Sequence, residues 1–197
     1  MPIDWTGIST DSEYNVKHIG AFHMIGDDAW EPQRNNNFEV RIYGLSDLTT
    51  VEGGIRIPQG TAEDTLTLST VSVGSLGQDV SVIEIPYGNT KVKYAGLPSV
   101  NNVDIVYNDY IGKSTERIIA AWHAKVANLY TEVVGRATVY KKTGELIETA
   151  PDGTLARVWR LEGVWPSNVQ YGAYSYEGNS TRQITMTLTI DRMIPLG

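Results

Sequence analysis

The last strand-like segment of the chain places the strongest constraint on its fold. In "RQITMTLTIDRMI", apolar side chains alternate with hydroxyl or acidic ones: Ile184, Met186, Leu188 and Ile190 against Thr185, Thr187, Thr189 and Asp191. A period of two puts each set on its own face of a β-strand, so one face is buried and the other is wet. Similar strand-like segments recur from residue 37 onward, and they include "NFEVRIYGL" (37–45), "TLTLSTVSVG" (65–74), "VDIVYNDY" (103–110) and "RATVYKK" (136–142). The sequence therefore predicts a mainly β protein, an antiparallel β-sandwich or barrel.

One helix is predicted beside these strands, over about residues 114–133, in "STERIIAAWHAKVANLYTEVVG". Ser114 or Thr115 can cap its start, and Gly135 can end it. Apolar residues at helical spacing form one face that we expect to pack on the flank or over one end of the sheet. The packing residues of this face are Ile118, Trp122, Val126 and Leu129.

The first part of the chain differs from the rest. Residues 1–36 lack periodicity and mix Gly, Asp and Asn with scattered aromatic residues, which predicts an extended N-terminal arm. Seven acidic residues stand against two basic ones in residues 1–40. Residues 37–197 are expected to form a single β-sandwich domain, because a chain of 197 residues suits one domain.

Composition excludes several classes of site. The chain has no cysteine, which rules out a disulfide scaffold, a thiolate metal site and a cysteine nucleophile. Its net charge is −7 and its basic residues do not cluster, so the sequence does not predict a surface that grips nucleic acid. No apolar run approaches the roughly 20 residues of a membrane span, and the first residues do not resemble a signal peptide.

One segment resembles a nucleotide-binding loop without completing it. Gly112, Lys113 and Ser114 match the end of the phosphate-binding pattern, but Tyr107 stands where its first glycine should be. We interpret the segment as a helix start. The alternative, an ATP-binding enzyme, would depend on Lys113.

A metal site could be drawn from His18, His23, Asp27 and Asp28, but nothing in the sequence fixes their geometry. His123 lies on the predicted helix beside Trp122. The tryptophans and tyrosines, which could form a sugar-binding platform, are dispersed along the chain. The sequence thus predicts no catalytic residue, no metal and no cofactor, and we expect that the protein is not an enzyme.

A block near the C-terminus, "EGVWPSNVQYG" (162–172), carries a resemblance to a known family. With the strand before it and the alternating strand after it, the block resembles the end of the tail tube proteins of contractile-tailed bacteriophages. The matching residues are Gly163, Trp165, Pro166, Asn168 and Val169. The helix with Trp122, the "ATVYKKTGE" segment and the hairpin pattern in "VIEIPYGNTKVKYAG" extend the resemblance over roughly residues 37–193.

The Trp-Pro pair is interpreted as a structural corner. Pro166 lacks a backbone N–H, so it is expected to end strand pairing. Trp165 would pack between sheet and helix, and Asn168 would start a turn. An ordinary packed corner of any β fold would explain these residues equally well.

The resemblance implies a ring-forming tail-tube fold, which the tube of type VI secretion systems shares. It implies a structural subunit: six copies close a ring, and stacked rings form a hollow conduit for DNA delivery inside a contractile sheath. Sheath, baseplate and tail terminator proteins would be partners. Genomic DNA would pass through the lumen without specific binding. The location would be the virion tail, after assembly in the host bacterial cytoplasm.

Ring stacking is expected to involve the arm at 1–36, the loop at 44–62 and the hairpin turn at 87–90. Candidate residues are Trp5, Trp30, Gly53, Gly54, Tyr87 and Asn89. Two alternatives share the fold: a baseplate tube-initiator, and the inner tube of a type VI or other contractile injection system. A third alternative is a ligand- or carbohydrate-binding β-sandwich module, which would be a monomer.

Overall fold

The computed structural model describes residues 33–45, 61–113, 115–177 and 180–196. The chain divides into two units, Met1–Asn35 and Asn36–Gly197, and every helix and strand described below lies in the second. The predicted arm lies almost wholly outside the described residues, as do Trp5, Trp30, Gly53, Gly54, His18 and His23. The division into an arm and one sandwich domain therefore stays a prediction.

The elements follow one another in the order β1 (Phe38–Tyr43), α1 (Thr61–Ser69), β2 (Thr70–Val73), β3 (Gln78–Tyr87), β4 (Thr90–Val100), β5 (Val103–Asn108), α2 (Thr115–Val126), β6 (Ala127–Asn128), β7 (Val133–Val134), α3 (Ala137–Tyr140), β8 (Lys142–Thr149), β9 (Leu155–Gln170), β10 (Gln183–Thr189) and β11 (Arg192–Leu196). All pairings between strands are antiparallel. The predicted mainly β, antiparallel fold is confirmed, but the described residues form three helices where the sequence predicted one.

Helix α1 lies where the sequence pattern predicted only strands. Leu66 and Leu68 share a strand parity, yet Leu66 is buried and Leu68 is exposed. The buried residues follow the helical period instead: Ala62, Thr65, Leu66 and Ser69. The strand prediction was wrong there, because the small residues on the buried face are spaced as in a helix and the apolar alternation alone does not show this. Glu63 Oε1 accepts hydrogen bonds from the backbone N–H groups of Gly44 (2.8 Å) and Leu45 (3.1 Å), which anchors α1 to the end of β1.

Helix α2 is shorter than the sequence predicted. Ile118, Trp122 and Val126 are buried as expected, but the helix ends at Val126, and Leu129 is 88% exposed. The prediction that Leu129 packs on the sheet was therefore wrong. The Asn128 side chain accepts hydrogen bonds from two backbone N–H groups of the following turn, at 2.9 and 3.3 Å. This local bonding competes with helix continuation, and the chain forms the small β6–β7 hairpin instead.

Helix α3 replaces the strand predicted for "RATVYKK". Its single turn is closed by the hydrogen bond from Lys141 N to Ala137 O (2.9 Å). The indole N–H of Trp122 donates to the carbonyl oxygen of Tyr140 (2.8 Å), so α3 is fixed to the centre of α2. A tertiary contact of this kind has no signal in the local pattern, which explains why the strand prediction was wrong.

The main sheet has the strand order β1-β8-β9-β10-β5-β2, and β11 also pairs with β9. The long strand β9 belongs to two halves of this sheet. Its first part pairs with β8 and β11, and its last part pairs with β10. We call the part formed by residues 165–170 of β9 with β10, β5 and β2 the half-sheet.

One hydrophobic core joins both parts of the sheet to α1 and α2. Its buried side chains include those of Val40, Ile42, Leu66, Val103, Ile105, Tyr107, Ile118, Ile119, Trp122, Leu161, Ile184, Met186 and Leu188. The alternation predicted for the last strand is confirmed, because Ile184, Met186 and Leu188 of β10 are buried. Within the described ranges, no helix is long and apolar enough to cross a membrane.

Candidate assembly surfaces

The block 163–169 lies where β9 changes partners. Val164 pairs with Lys142 of β8, and the next residue, Trp165, pairs with Thr189 of β10. The strand therefore passes from one part of the sheet to the other at this point, as strands do at the corners of sandwiches.

Two details of the predicted corner were wrong. Pairing continues through Pro166, which is buried opposite Leu188, and Asn168 pairs with Thr187 instead of starting a turn. The register shifts at this position, so Ser167 bulges out of the ladder. A bulge accommodates a proline within a strand, because it releases the ladder position that needs an N–H.

The aromatic ring of Trp165 packs against a short helix. It is half-buried and meets the ring of Tyr140 edge to face, with centroids 5.7 Å apart. Since the Tyr140 carbonyl accepts the hydrogen bond from Trp122, the two tryptophans are linked through α3. Val169, the last residue of the block, pairs with Met186.

Gly163 makes room for an acidic side chain from the end of the chain. Its φ of +67° lies in the left-handed region, and a Cβ at this position would overlap the carboxylate of Asp191. Asp191 forms an ion pair with Lys141, which follows α3 directly. The sequence block pointed to Gly163, but neither Lys141 nor Asp191 was predicted to contact it.

The outer face of the half-sheet is polar and almost uncharged. The register places these residues on it: Ser72, Asp104, Val106, Asn108, Trp165, Asn168, Gln170, Gln183, Thr185, Thr187 and Thr189. No lysine or arginine belongs to this set of described residues. Asp104 is its single charged residue, and Thr187 Oγ1 donates to Asp104 Oδ1 (2.6 Å). Helix α2 packs on the opposite, buried face, so the polar face and the helix lie on opposite sides of the half-sheet.

The half-sheet has two open edges. Of the described strands, none pairs with β2 on the side away from β5, and none pairs with residues 167–170 on the side away from β10. Four antiparallel strands alternate in direction, so the strands at the two edges, β9 and β2, run in opposite directions. Open edges carry unpaired backbone N–H and C=O groups that can pair with another chain.

The β3–β4 hairpin stands clear of the sheet, because every residue of β3 and nearly all of β4 are exposed. Its register places large apolar side chains on one face: Ile83, Ile85, Tyr87, Val92 and Tyr94. We call this set the apolar stripe. The other face holds Glu84, with Lys91 and Lys93 paired to it. Tyr87 and Asn89, predicted at the turn, lie there on either side of Gly88, whose φ is +60°.

Arg182 joins the loop after β5 to the loop between β9 and β10, at the end of the half-sheet away from the hairpin. Its guanidinium donates from Nη1 to Asp109 (2.8 Å) and Glu116 (2.7 Å) and from Nε to the Tyr171 carbonyl (3.0 Å). It also lies over the ring of Tyr174, 4.8 Å from the centroid. The hydrogen bond to Glu116 raises the pKa of Arg182 above its ordinary value. Nothing in the sequence pattern signalled this arrangement, because its members are far apart in the chain.

Gly112 and Lys113, the described part of the predicted nucleotide-loop segment, lie just before α2 beside this arginine. Lys113 N donates to Tyr110 O (3.1 Å), which closes a turn rather than a phosphate-wrapping loop. Asp109 and Glu116 place carboxylates next to the turn, and these would repel a phosphate. Within the described residues, no group of three or more His, Asp or Glu side chains could hold a metal ion.

No protein-family model matches the chain, and no curated protein matches it significantly. Solved structures do. A chain from the sheath/tube terminator of the extracellular contractile injection system PVC is 20% identical, with a TM-score of 0.59 over 85% of this chain and 98% of that one. A chain from the PVC sheath-tube complex is also 20% identical, with a TM-score of 0.58 over 85% and 93%. A chain from the tube-terminating cap of the anti-feeding prophage is 17% identical, with a TM-score of 0.60 over 90% and 99%. At these identities the likeness shows the fold, and the chain has the tail-tube fold that the block around Trp165 predicted.

Proposed function

We propose that the chain is the structural subunit of a phage tail tube. Six copies close a ring, and stacked rings form a hollow conduit inside a contractile sheath. The observation that carries the proposal is the half-sheet, which has two open edges of opposite direction and a polar outer face. The solved structures that share the fold come from a sheath/tube terminator, a sheath-tube complex and a tube-terminating cap, which supports a structural role.

The directions of the edge strands support ring closure. When a copy is rotated about an axis parallel to the strands, its β9 meets β2 of the next copy in antiparallel orientation. Alternation therefore continues around the ring, and the closed barrel leaves no edge unpaired. Closure also removes the aggregation hazard of the two open edges.

The outer face of the half-sheet is assigned to the lumen. Threonine hydroxyls and side-chain amides dominate it, and its only charge is the carboxylate of Asp104. Without a lysine or arginine among its described residues, the face offers phosphate groups no cation to bind. This supports the proposal that genomic DNA passes through the lumen without being gripped. The opposite side, which carries α2, faces outward in the ring.

Sheath, baseplate and terminator proteins are the proposed partners. Support comes from the solved structures with this fold, which come from a sheath-tube complex, a sheath/tube terminator and a baseplate. The proposed location is the virion tail, with assembly in the host bacterial cytoplasm. Stacking of rings is assigned to the hairpin turn with Tyr87 and Asn89, to the loop at 44–62 and to the arm with Trp5 and Trp30.

Negative-stain electron microscopy of the purified, concentrated protein tests the proposal. We expect six-fold rings and hollow tubes. Val71 lies on the open edge strand β2 and is 40% exposed, so Val71→Lys should block edge pairing and leave monomers. Leu155→Lys is the matched control, because Leu155 is 65% exposed and lies at the start of β9, where it pairs with Thr149 of β8. Dispersed monomers of the unmodified chain would contradict the tube and favour a monomeric binding module.

A further inference from the structure

The two ends of the half-sheet carry uncovered apolar side chains of different kinds. The hairpin leaves the sheet at the start of β5, where Asn101 N donates to Gly77 O (2.9 Å). The Arg182 loops lie at the end of β5, where Asp109 N donates to Arg182 O (3.1 Å). Since β5 has six residues, these ends are about 20 Å apart along the strand direction.

The end near Arg182 exposes four large side chains. Tyr110 and Ile111 come from the loop before α2, and Tyr174 and Tyr176 come from the loop after β9; all four are exposed, and Ile111 and Tyr176 fully so. We call this set the aromatic rim. Arg182 holds its two loops together through Asp109 and through the ring of Tyr174. The rim also borders an open cleft of about 310 Å³, lined by residues 172–175 and 180–183.

The apolar stripe groups five exposed large side chains and the aromatic rim groups four. Grouped, exposed apolar side chains mark contact surfaces, whereas single scattered ones are ordinary. A lone two-stranded hairpin is also marginally stable in water and gains order when one face is covered. Ring closure through the lateral edges covers neither surface, because both lie at the ends of the strands. The hairpin has no net charge, because Asp79 and Glu84 balance Lys91 and Lys93. Apolar contact is therefore its main means of binding.

We propose that the apolar stripe of one copy docks onto the aromatic rim of a second copy in the next ring. This inference rests on the proposed tube and names the two surfaces that stack its rings. In a stack whose rings all point the same way, the end of one ring that carries the hairpins faces the end of the next ring that carries the aromatic rims. The contact is head to tail, so it repeats without limit along the axis. Arg182 acts as a positioning residue, since it fixes both rim loops.

Complementary variants test the pairing. Tyr87→Glu disables the stripe and leaves the rim intact, and the double variant Tyr174→Glu, Tyr176→Glu disables the rim and leaves the stripe intact. All three side chains are exposed, so folding and ring closure should persist. Each variant alone is expected to give single rings in place of tubes. Tyr130→Glu is the matched control, because Tyr130 is 95% exposed but lies on the β6–β7 turn. It should give tubes.

Mixing preformed rings of the two variants tests whether the stripe of one ring binds the rim of another. A rim-defective ring still offers its stripe to the intact rim of a stripe-defective ring, so the mixture should form pairs of rings and nothing longer. Electron microscopy and sedimentation velocity count the pairs. Tubes formed by the rim variant, loss of tubes in Tyr130→Glu, or absence of ring pairs in the mixture would each overturn the pairing while leaving the ring itself established. If the unmodified chain forms no rings, the proposed tube fails and the pairing fails with it.

Discussion

The carboxylate of Asp191 occupies the space in which any residue other than glycine at position 163 would place its Cβ. Gly163 lies in β9, and Asp191 lies between β10 and β11, which both pair with β9. Asp191 N also donates to the carbonyl oxygen of Glu162 (3.0 Å). From this position Asp191 forms its ion pair with Lys141 at the end of α3. Gly163 thus lets the chain bring β9, α3 and the β10–β11 junction together at one point.

Gly163→Ala should therefore destabilise the protein for two reasons. An alanine at positive φ costs about 1–2 kcal/mol, and its Cβ would also displace Asp191 from Lys141. Gly153→Ala is the matched control, because Gly153 has a φ of +86° but nothing lies within 4 Å of its Cβ position. Urea unfolding should show a larger loss for Gly163→Ala than for Gly153→Ala. Equal losses would show that the approach of Asp191 adds no cost.

Tyr107→Phe should leave the protein as stable as before at neutral pH, or raise its free energy of unfolding by about 1 kcal/mol. The hydroxyl is fully buried and finds no hydrogen-bond partner in the described part of the chain, so removing it removes an unpaired polar group. Tyr43→Phe is the contrasting variant, since it deletes the hydrogen bond from Tyr43 to Glu145 (2.8 Å). A marked loss of stability in Tyr107→Phe would show that the Tyr107 hydroxyl has a stabilising hydrogen-bond partner.

The same tyrosine predicts an alkaline limit to stability. Burial raises the pKa of Tyr107 above the ordinary value, which is about 10. Above that pH the unfolded chain releases the phenolic proton while the folded protein keeps it. The free energy of unfolding therefore falls as pH rises, by up to about 1.4 kcal/mol per pH unit. Unfolding curves at about pH 11 should show a smaller loss for Tyr107→Phe than for the unmodified chain, whereas parallel losses would argue against it.

Leu129→Ala should change the free energy of unfolding by less than about 0.5 kcal/mol, because Leu129 lies exposed in the turn after α2. Ile118→Ala, on the buried face of α2, should cost about 2–5 kcal/mol. Chemical denaturation of the two variants measures the difference. A large cost at Leu129 would support the longer helix that the sequence pattern predicted.

Arg182→Lys should loosen the aromatic rim without unfolding the protein. A lysine ammonium cannot reproduce the planar set of donors that reaches Asp109, Glu116 and the Tyr171 carbonyl. We expect about tenfold faster amide hydrogen exchange in residues 109–113 and 171–177, which corresponds to about 1.4 kcal/mol of local stability. Arg157→Lys is the control, because Arg157 is largely exposed and pairs with Glu148 at 3.8 Å. Unchanged exchange at the rim would remove Arg182 from its positioning role.

Local patterns sufficed where burial alternates along one strand. β1, β5 and β10 were predicted because their buried and wet faces follow a period of two. The β3–β4 hairpin was expected from the family resemblance, and the structure contains it. The block around Trp165 pointed to the fold. It did so through its resemblance to tail tube proteins, which the block carries together with the alternating strand that follows it.

The remaining features depend on contacts between distant parts of the chain. Helix α3 is held to α2 because the Tyr140 carbonyl accepts a hydrogen bond from the Trp122 indole. Helix α2 ends at Val126, just before Asn128, whose side chain accepts hydrogen bonds from backbone N–H groups of the following turn. The grouping of Arg182 with Asp109 and Glu116 brings two loops together across the sheet. Neither periodicity nor composition predicts contacts between residues that are distant in the sequence. The surfaces at the two ends of the half-sheet are therefore visible only in the folded structure.

The four strands of the half-sheet have a consequence for the calibre of the proposed tube. Each copy adds about 19 Å to the circumference, since neighbouring strands are about 4.8 Å apart, and so about 6 Å to the diameter. The bore therefore cannot be widened gradually by mutation or by cargo pressing on its wall. The diameter changes only when a whole copy is added to or removed from each ring, so the number of copies per ring sets the calibre of the tube.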